Sequence, residues 1–249
     1  MFLIGLYVVM VGACIGSFIH VVALRYVHHE NLWNGRSCCD HCHHQIPWYD
    51  LIPIVSYIVL RGRCRFCKEP IGIRHLIVEL TMGAAYWLIW QQVGLTWRLP
   101  ILYVIVALFM CLSLIDMDTM IIPNGLILLL GAVMLMDMFF MVPIGLVWRL
   151  AGMLSMSGLM LLINIIAGNG FGGGDIKLMF VCGFWLGLRL TIVAGIVAIV
   201  LAGIKACYLL LKKSVGKKDY IAFGPYLCMG VFLSLLYGEW FLNWYLNIF

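Results

Sequence analysis

Two groups of residues in this 249-residue chain stand at spacings that could do chemistry. The first is sulfur. Cys39-x-x-Cys42 and Cys64-x-x-Cys67 are two pairs with 21 residues between them, set in RSCCDHCHHQ and RGRCRFCK. That is the spacing of a four-thiolate zinc site. Each pair turns tightly and aims both sulfurs at one centre, and a tetrahedral ion then fixes a segment with too few apolar residues for its own core. Redox work through one pair, or no metal at all, are the competing readings. Cys38, His41, His43 and His44 are nearby competing donors, and Cys38 is set aside because choosing it changes the knuckle spacing. Cys14, Cys111, Cys182, Cys207 and Cys228 are scattered through apolar stretches and read as small apolar packers.

The second group is carboxylate. Asp116 and Asp118 lie in SLIDMDTMIIPN, directly after a long apolar run, and Asp175 lies in GNGFGGGDIKL, directly after another. A charged acid at lipid depth is costly unless it faces a protein interior or water. The bland reading is helix capping: Asp175 as the N-cap of the next helix, Asp116 ending the one before it. Capping or solvation is the expectation for Asp118, and satisfied burial or interfacial exposure for Asp137. Asp116 and Asp175 read otherwise. They are 59 positions apart, each beside a chain break at the same expected depth. Packing that brings them over one water leaves one protonated and one charged, because close carboxylates do not both ionise easily. Such a pair activates water and protonates a leaving amine, and its titration belongs to the pair.

Gly172 and Gly174 are expected to give the backbone conformations closed to other residues and to let it approach a substrate strand closely. Irregular backbone at membrane depth is tolerated where it lines a cavity. GNGFGG also fits G-x-G-x-x-G, but it follows an apolar helix rather than a strand, so a dinucleotide site is set aside. Lys177 either reaches up to the membrane interface or biases the acid pair.

The elements that must position these residues are membrane helices. The chain is 64% hydrophobic and 11% charged, with a mean hydropathy of +1.05; soluble domains carry roughly 25% charged residues. This is an all-α polytopic membrane protein with about eight spans: 2–24, 76–93, 99–115, 124–142, 148–167, 176–188, 190–211 and 224–246. The boundary between the sixth and seventh is the least defined. The first segment suits a spanning helix better than the short core of a cleavable signal. One sizeable polar region, 25–75, interrupts the pattern, giving a first helix over 1–24, a four-cysteine module over 25–75 and a membrane core over 76–249. The net charge of +5 is modest. Its basic residues gather in the 25–75 region and in KKSVGKK (212–218), so it reads as topology and not as nucleic-acid binding. An alternating count of eight spans puts both regions, and the breaks at 116–123 and 168–175, on one side, the cytoplasmic one. That side is reducing, which argues against disulfides. GACIG (12–16) and GFWLG (183–187) are small-residue spacings that fit contacts inside the chain or between chains.

With these residues in hand, the chain resembles the bacterial type IV prepilin peptidases, bifunctional leader peptidases and N-methyltransferases with a G-x-G-D signature. GSFIHVVALR (16–25) resembles the family's opening segment, residues 36–71 its cytoplasmic zinc module, and LIDMDTMIIPN (114–124) and GGGDIKL (172–178) its two aspartate motifs. The resemblance implies that Asp116 and Asp175 are the catalytic pair and that Cys39, Cys42, Cys64 and Cys67 hold a structural Zn2+. It implies a prepilin or pseudopilin precursor, cut after the glycine that ends a basic leader at the cytoplasmic face of the bacterial inner membrane. The new terminal amine would then be methylated from S-adenosylmethionine. Asp40, Asp50 and Glu69 are local contacts for the leader. Glu79, in IVEL, matches an acidic position of the family, with pairing to a basic residue and service in methyl transfer both open. The chain departs at His20, where the family has Asn, and at Asn124, where it often has Asp; a satisfied helix-interface histidine is the expectation for His20. Methyl transfer rests on the resemblance alone.

Two other function classes remain. A cation transporter would use the acids for binding, but no continuous polar stripe runs through several spans. A scaffold would recruit secretion proteins through its zinc module and keep the acids as caps.

Overall fold

The computed structural model describes residues 2–31, 37–39, 41–141, 143–168, 170–212 and 221–247. Arg36, Asp40 and Lys213, Lys217 and Lys218 of the second basic region lie outside these residues. The described chain is helical apart from two isolated β-bridges. The chain divides into two compact units, Met1–Leu99 and Pro100–Phe249.

In the first unit α1 (Phe2–Val27) packs along α3 (Ile73–Val93), so the helix over residues 76–93 goes with this unit. The contact is close because α1 presents glycines. A β-carbon on Gly12 would lie 2.7 Å from the Met82 carbonyl oxygen, and one on Gly16 would lie 2.9 Å from the Met82 side chain. The GACIG spacing therefore serves a contact inside the chain. The segment between carries a 3-10 turn (Trp48–Leu51), the short α2 (Val55–Val59) and the two cysteine loops.

In the second unit, α4 (Leu99–Thr119), α5 (Asn124–Met138), α6 (Leu146–Ala167), α7 (Gly173–Leu186), α8 (Leu188–Leu211) and α9 (Gly224–Leu246) follow in order. α6 packs on α7 and α8, α8 on α9, and α7 also touches α5 and α9. α4 is the most enclosed span, 67% buried against 28% for α6 and α8, and Leu102, Ile105, Leu112 and Ile115 on it are sealed. α6 and α7 meet at glycines: a β-carbon on Gly183 would strike the Gly152 carbonyl. GFWLG thus also serves an internal contact. The boundary between α7 and α8 is the single residue Gly187, whose φ of +75° only glycine adopts readily.

The chain is a multi-pass membrane protein, and helices stand at all eight expected places. Five of them, α1, α4, α6, α8 and α9, are long and apolar enough to cross a bilayer. α3 is long but carries Arg74, His75 and Glu79 near its start. α5 and α7 have 15 and 14 residues, about 22 and 21 Å at 1.5 Å per residue. The first break also begins later than expected. α4 runs on to Thr119, so Asp116 and Asp118 sit in its last turns rather than in a loop.

At the far end of the second unit Asp137 is fully buried and accepts the Trp185 indole N–H at 3.0 Å. Arg149, in the first turn of α6, is also buried, and it donates to the carbonyls of Trp185 at 3.1 Å and Phe184 at 3.3 Å. This knot ties α5, α6 and α7, and it satisfies Asp137 by burial, as expected.

Candidate active site and metal centre

The second unit gathers three helix ends. Asp116 is in the last turn of α4, and its Oδ2 accepts the main-chain N–H of Gly224, the first residue of α9, at 2.9 Å. Asp175 is in the first turn of α7, and its Oδ2 accepts the Gly172 N–H at 3.3 Å. It stands at the third helical position and reaches back to the amide of the N-cap residue Gly172, so the alternative capping reading holds in a shifted form, with Asp175 inside the first turn and not at the N-cap. Both carboxylates are buried and lie within each other's electrostatic reach. Asp175 Oδ1 is buried with no hydrogen-bond partner among the described residues. A buried acceptor without a donor calls for one that is brought in.

Ile122, in the break after α4, is the shared spacer of the three ends. A β-carbon on Gly174 would lie 2.8 Å from Ile122 Cβ. One on Gly224 would lie 2.7 Å from Asp116 Oδ2 and 3.2 Å from Ile122 Cδ1. Neither motif glycine adopts a left-handed backbone: Gly172 is extended (φ −66°, ψ 144°), and Gly174 is helical. The expectation of unusual conformations is therefore corrected. Here glycine provides room, Gly174 for Ile122 and Gly172 for Asp175 Oδ2, 3.1 Å from where its β-carbon would be.

The loop entering α7 is pinned from α6. The Asn164 side chain accepts the Phe171 N–H at 2.7 Å and donates to the Phe171 carbonyl at 2.8 Å. The Phe171 ring then meets the Phe223 ring, with centroids 5.2 Å apart, which ties the entries of α7 and α9 together. Lys177 donates to Asn124 Oδ1 at 3.0 Å across the starts of α5 and α7. Asp118 is exposed. Gly224, Ile122 and Asn164 were not singled out from sequence. Gly224-Pro225 did carry a signal, since proline at the first turn marks a helix start.

In the first unit the four cysteines converge. One sulfur from each of Cys39, Cys42, Cys64 and Cys67 lies within 4.8 Å of the others, with Cys39 Sγ and Cys67 Sγ 3.7 Å apart. Sulfurs at the corners of a tetrahedral zinc site, each about 2.3 Å from the ion, stand roughly 3.8 Å apart. The two loops share one geometry. The His43 N–H donates to Cys39 O, and the Lys68 N–H to Cys64 O; His43 and Lys68 both have positive φ, 53° and 62°. Each loop closes with a β-bridge, Cys38 to Gln45 and Arg63 to Pro70. The amides of Cys67 and Phe66 push the Cys64 thiol down to about 7. The Glu69 amide favours the Cys67 thiolate, yet burial and the neighbouring sulfurs push Cys67 up to about 12. A cation shared among the four sulfurs would relieve this crowding. Cys38 is exposed and outside the cluster. Of the remaining cysteines, Cys111, Cys182 and Cys228 are buried packers, whereas Cys14 and Cys207 are exposed.

Above the module lies a cavity of about 620 Å³, walled by α1, α3 and the cysteine segment. Glu79 lines it, only 7% exposed, with Oε2 accepting the Ile54 N–H at 2.8 Å. The pairing of Glu79 with a basic residue is not seen among the described residues. Asp50 does pair: Arg65 donates to both its oxygens, at 2.7 and 2.6 Å. His20 is buried with its ring 4.0 Å from that of His75, a helix-interface contact as expected.

The fold and these sites define a helical membrane protein with a four-cysteine cluster of metal-binding geometry in one unit and two buried carboxylates in the other. Comparison with known proteins agrees. The model of the bacterial peptidase A24 N-terminal domain matches residues 10–93, and that of the type IV leader peptidase family matches residues 101–207. The chain is 31% identical over 224 residues to a prepilin leader peptidase/N-methyltransferase of Aeromonas hydrophila, covering 88% of this chain and 77% of the relative. A protein of the same name from Bacillus subtilis (strain 168) is 27% identical over 241 residues, covering 95% and 96%. One from Burkholderia pseudomallei (strain K96243) is 32% identical over 216 residues, covering 84% and 69%. No solved structure matches. The chain belongs to the type IV leader peptidase family. It is an enzyme, a leader peptidase of the bifunctional peptidase and methyltransferase kind.

Proposed function

We propose that this protein is an intramembrane aspartic endopeptidase of the bacterial inner membrane, acting on prepilin or pseudopilin precursors. It cuts after the glycine that ends their basic leader, at the cytoplasmic face, and then N-methylates the new terminal residue. The observation that carries this reading is the placing of two buried acids within each other's electrostatic reach at three helix ends, Asp116 held by the Gly224 amide and Asp175 by the Gly172 amide.

One carboxyl of the pair is protonated and the other ionised. The ionised one takes a proton from water as that water attacks the scissile carbonyl, and the protonated one donates to the carbonyl oxygen. The intermediate then collapses, and a proton passes to the leaving amine. Gly224 fixes the rotamer of Asp116, and Gly172 that of Asp175. The precursor's own apolar helix lies in the bilayer, so its junction reaches the carboxylates from the side. Cys39, Cys42, Cys64 and Cys67 would hold a structural zinc that orders the module. S-adenosylmethionine, when bound, supplies an electrophilic methyl group.

The test is incubation of purified enzyme with a prepilin, with and without S-adenosylmethionine, read by mass. The expected products are a peptide cut after the glycine and, with the donor, a gain of one methyl group on the mature fragment. Ion flux in proteoliposomes without cleavage would support a transporter instead.

A further inference from the structure

Methyl transfer needs a pocket for its donor. The cavity of the first unit, about 620 Å³, falls within the roughly 300–1,000 Å³ typical of small-molecule sites. Ser17 and Val21 of α1, His75 and Glu79 of α3, and Tyr57 and Phe66 of the module all line it. The three rings suit a flat purine.

Glu79 is the discriminating residue. Its carboxylate is more than nine-tenths buried, only one of its oxygens takes a recorded hydrogen bond, and no described cation pairs with it. A buried carboxylate without a cation is costly, so the cavity is set for a positive group carried by a ligand. The Ile54 backbone makes the same point. It has φ 64° and ψ −52°, a conformation strongly disfavoured for a β-branched side chain. Strained backbone of this kind persists where its surroundings hold it, typically at ligand clamps; here the hold is the Glu79 carboxylate on the Ile54 amide.

We propose that this cavity binds the methyl donor, S-adenosylmethionine, with the Glu79 carboxylate facing its sulfonium. The assignment rests on the methyl-transfer half of the proposed function. Glu79 is the one buried acid among Glu30, Asp50, Glu69 and Glu79 on the cavity wall that is not engaged by a described cation, because Glu30 and Glu69 are exposed and Asp50 is held by Arg65. A single buried anion fits a small ligand with one cation better than a leader peptide bearing several. In the transfer, the lone pair of the new terminal amine attacks the methyl carbon. The C–S bond breaks with its electrons left on sulfur, and the methylated ammonium returns a proton to solvent. The sulfonium charge disappears, so Glu79 holds donor more tightly than product.

Calorimetric titration of the full-length protein in lipid nanodiscs tests this, using S-adenosylmethionine and S-adenosylhomocysteine as separate titrants. Glu79→Gln keeps an acceptor for Ile54 and removes the charge. It should weaken the donor by about tenfold or more and the uncharged product far less. Val21→Trp fills the cavity from α1 and should weaken both. Bound zinc reports folding, and if Glu79→Gln loses its metal, Val21→Trp decides alone. Equal loss of both ligands in Glu79→Gln, unchanged donor binding in either variant, or loss confined to a basic leader peptide overturns the assignment. If the unaltered protein binds neither titrant, both the assignment and the methyl-transfer reading fall.

Discussion

The main-chain N–H of Gly224 reaches Oδ2 of Asp116 across 108 positions at 2.9 Å. An acid in the last turn of a helix is poorly placed, because the exposed carbonyls there carry a partial negative charge. The start of α9 supplies the opposite partial charge where α4 supplies the wrong one. A carboxylate carried at the end of α4 thus satisfies an otherwise orphaned N–H at the start of α9.

Replacing Gly224 by Ala would put a β-carbon 2.7 Å from that oxygen, so the carboxylate must rotate away. Cleavage is expected to fall about 100-fold in kcat, with KM little changed. Gly158→Ala on α6, where nothing lies within 4 Å, should leave kcat as it is. Steady-state kinetics on a prepilin peptide separates the two outcomes.

Asp116→Asn and Asp175→Asn should each lose roughly 10²- to 10⁴-fold in cleavage while staying folded, and the double variant should lose little more than either. Asp118→Asn, altering an exposed side chain, should keep its activity. A single Asn variant with undiminished cleavage, measured on monodisperse protein, would remove its residue from the mechanism.

One zinc per chain is expected by elemental analysis. Cys64→Ser or exhaustive chelation should remove it and open the 37–71 segment to protease, because few side chains there are buried. Cys38→Ser should retain the metal, since Cys38 lies outside the sulfur cluster.

Asp137→Ala strands the Trp185 indole N–H in a sealed core. A cost of about 1–3 kcal/mol is expected, read as lower thermal stability in detergent. Trp185→Phe in that background should restore part of it, as a double-mutant cycle would show.

Arg65 hydrogen-bonds Asp50 and holds its carboxyl below the usual carboxylate range. The stabilisation is therefore complete above about pH 4, the unfolded value, and is lost as pH falls through the lower folded one. The stability gap between the unaltered protein and Asp50→Asn should be flat near neutrality and close on acidification. A gap that widens in acid would contradict the pairing.

The cysteine knuckles were readable from sequence because their geometry is local: two residues between cysteines leave the loop little choice. The membrane helices were readable from apolar run length, which depends on composition alone. Asp116 and Asp175 stood out because an acid beside a chain break in an apolar sequence is costly. Gly224 did not, because its importance comes from a partner more than a hundred residues away. The end of α4 was misplaced because Asp116 and Asp118 look like loop residues until the start of α9 is there to receive one of them. The Ile54 backbone could not have been foreseen, since no propensity places isoleucine at φ 64°; its amide is held by the Glu79 carboxylate, which tertiary packing brings alongside.

α5 and α7, at about 22 and 21 Å, fall roughly 8 to 9 Å short of a hydrocarbon layer about 30 Å thick. Where two such short helices cross a bilayer side by side, local thinning is one way for the lipid to match them. If the thinning falls at their N-terminal ends, where the breaks are, it draws the aqueous phase down towards the level of Asp175. Thinning of that kind would let the lipid itself deliver the second reactant of a hydrolysis.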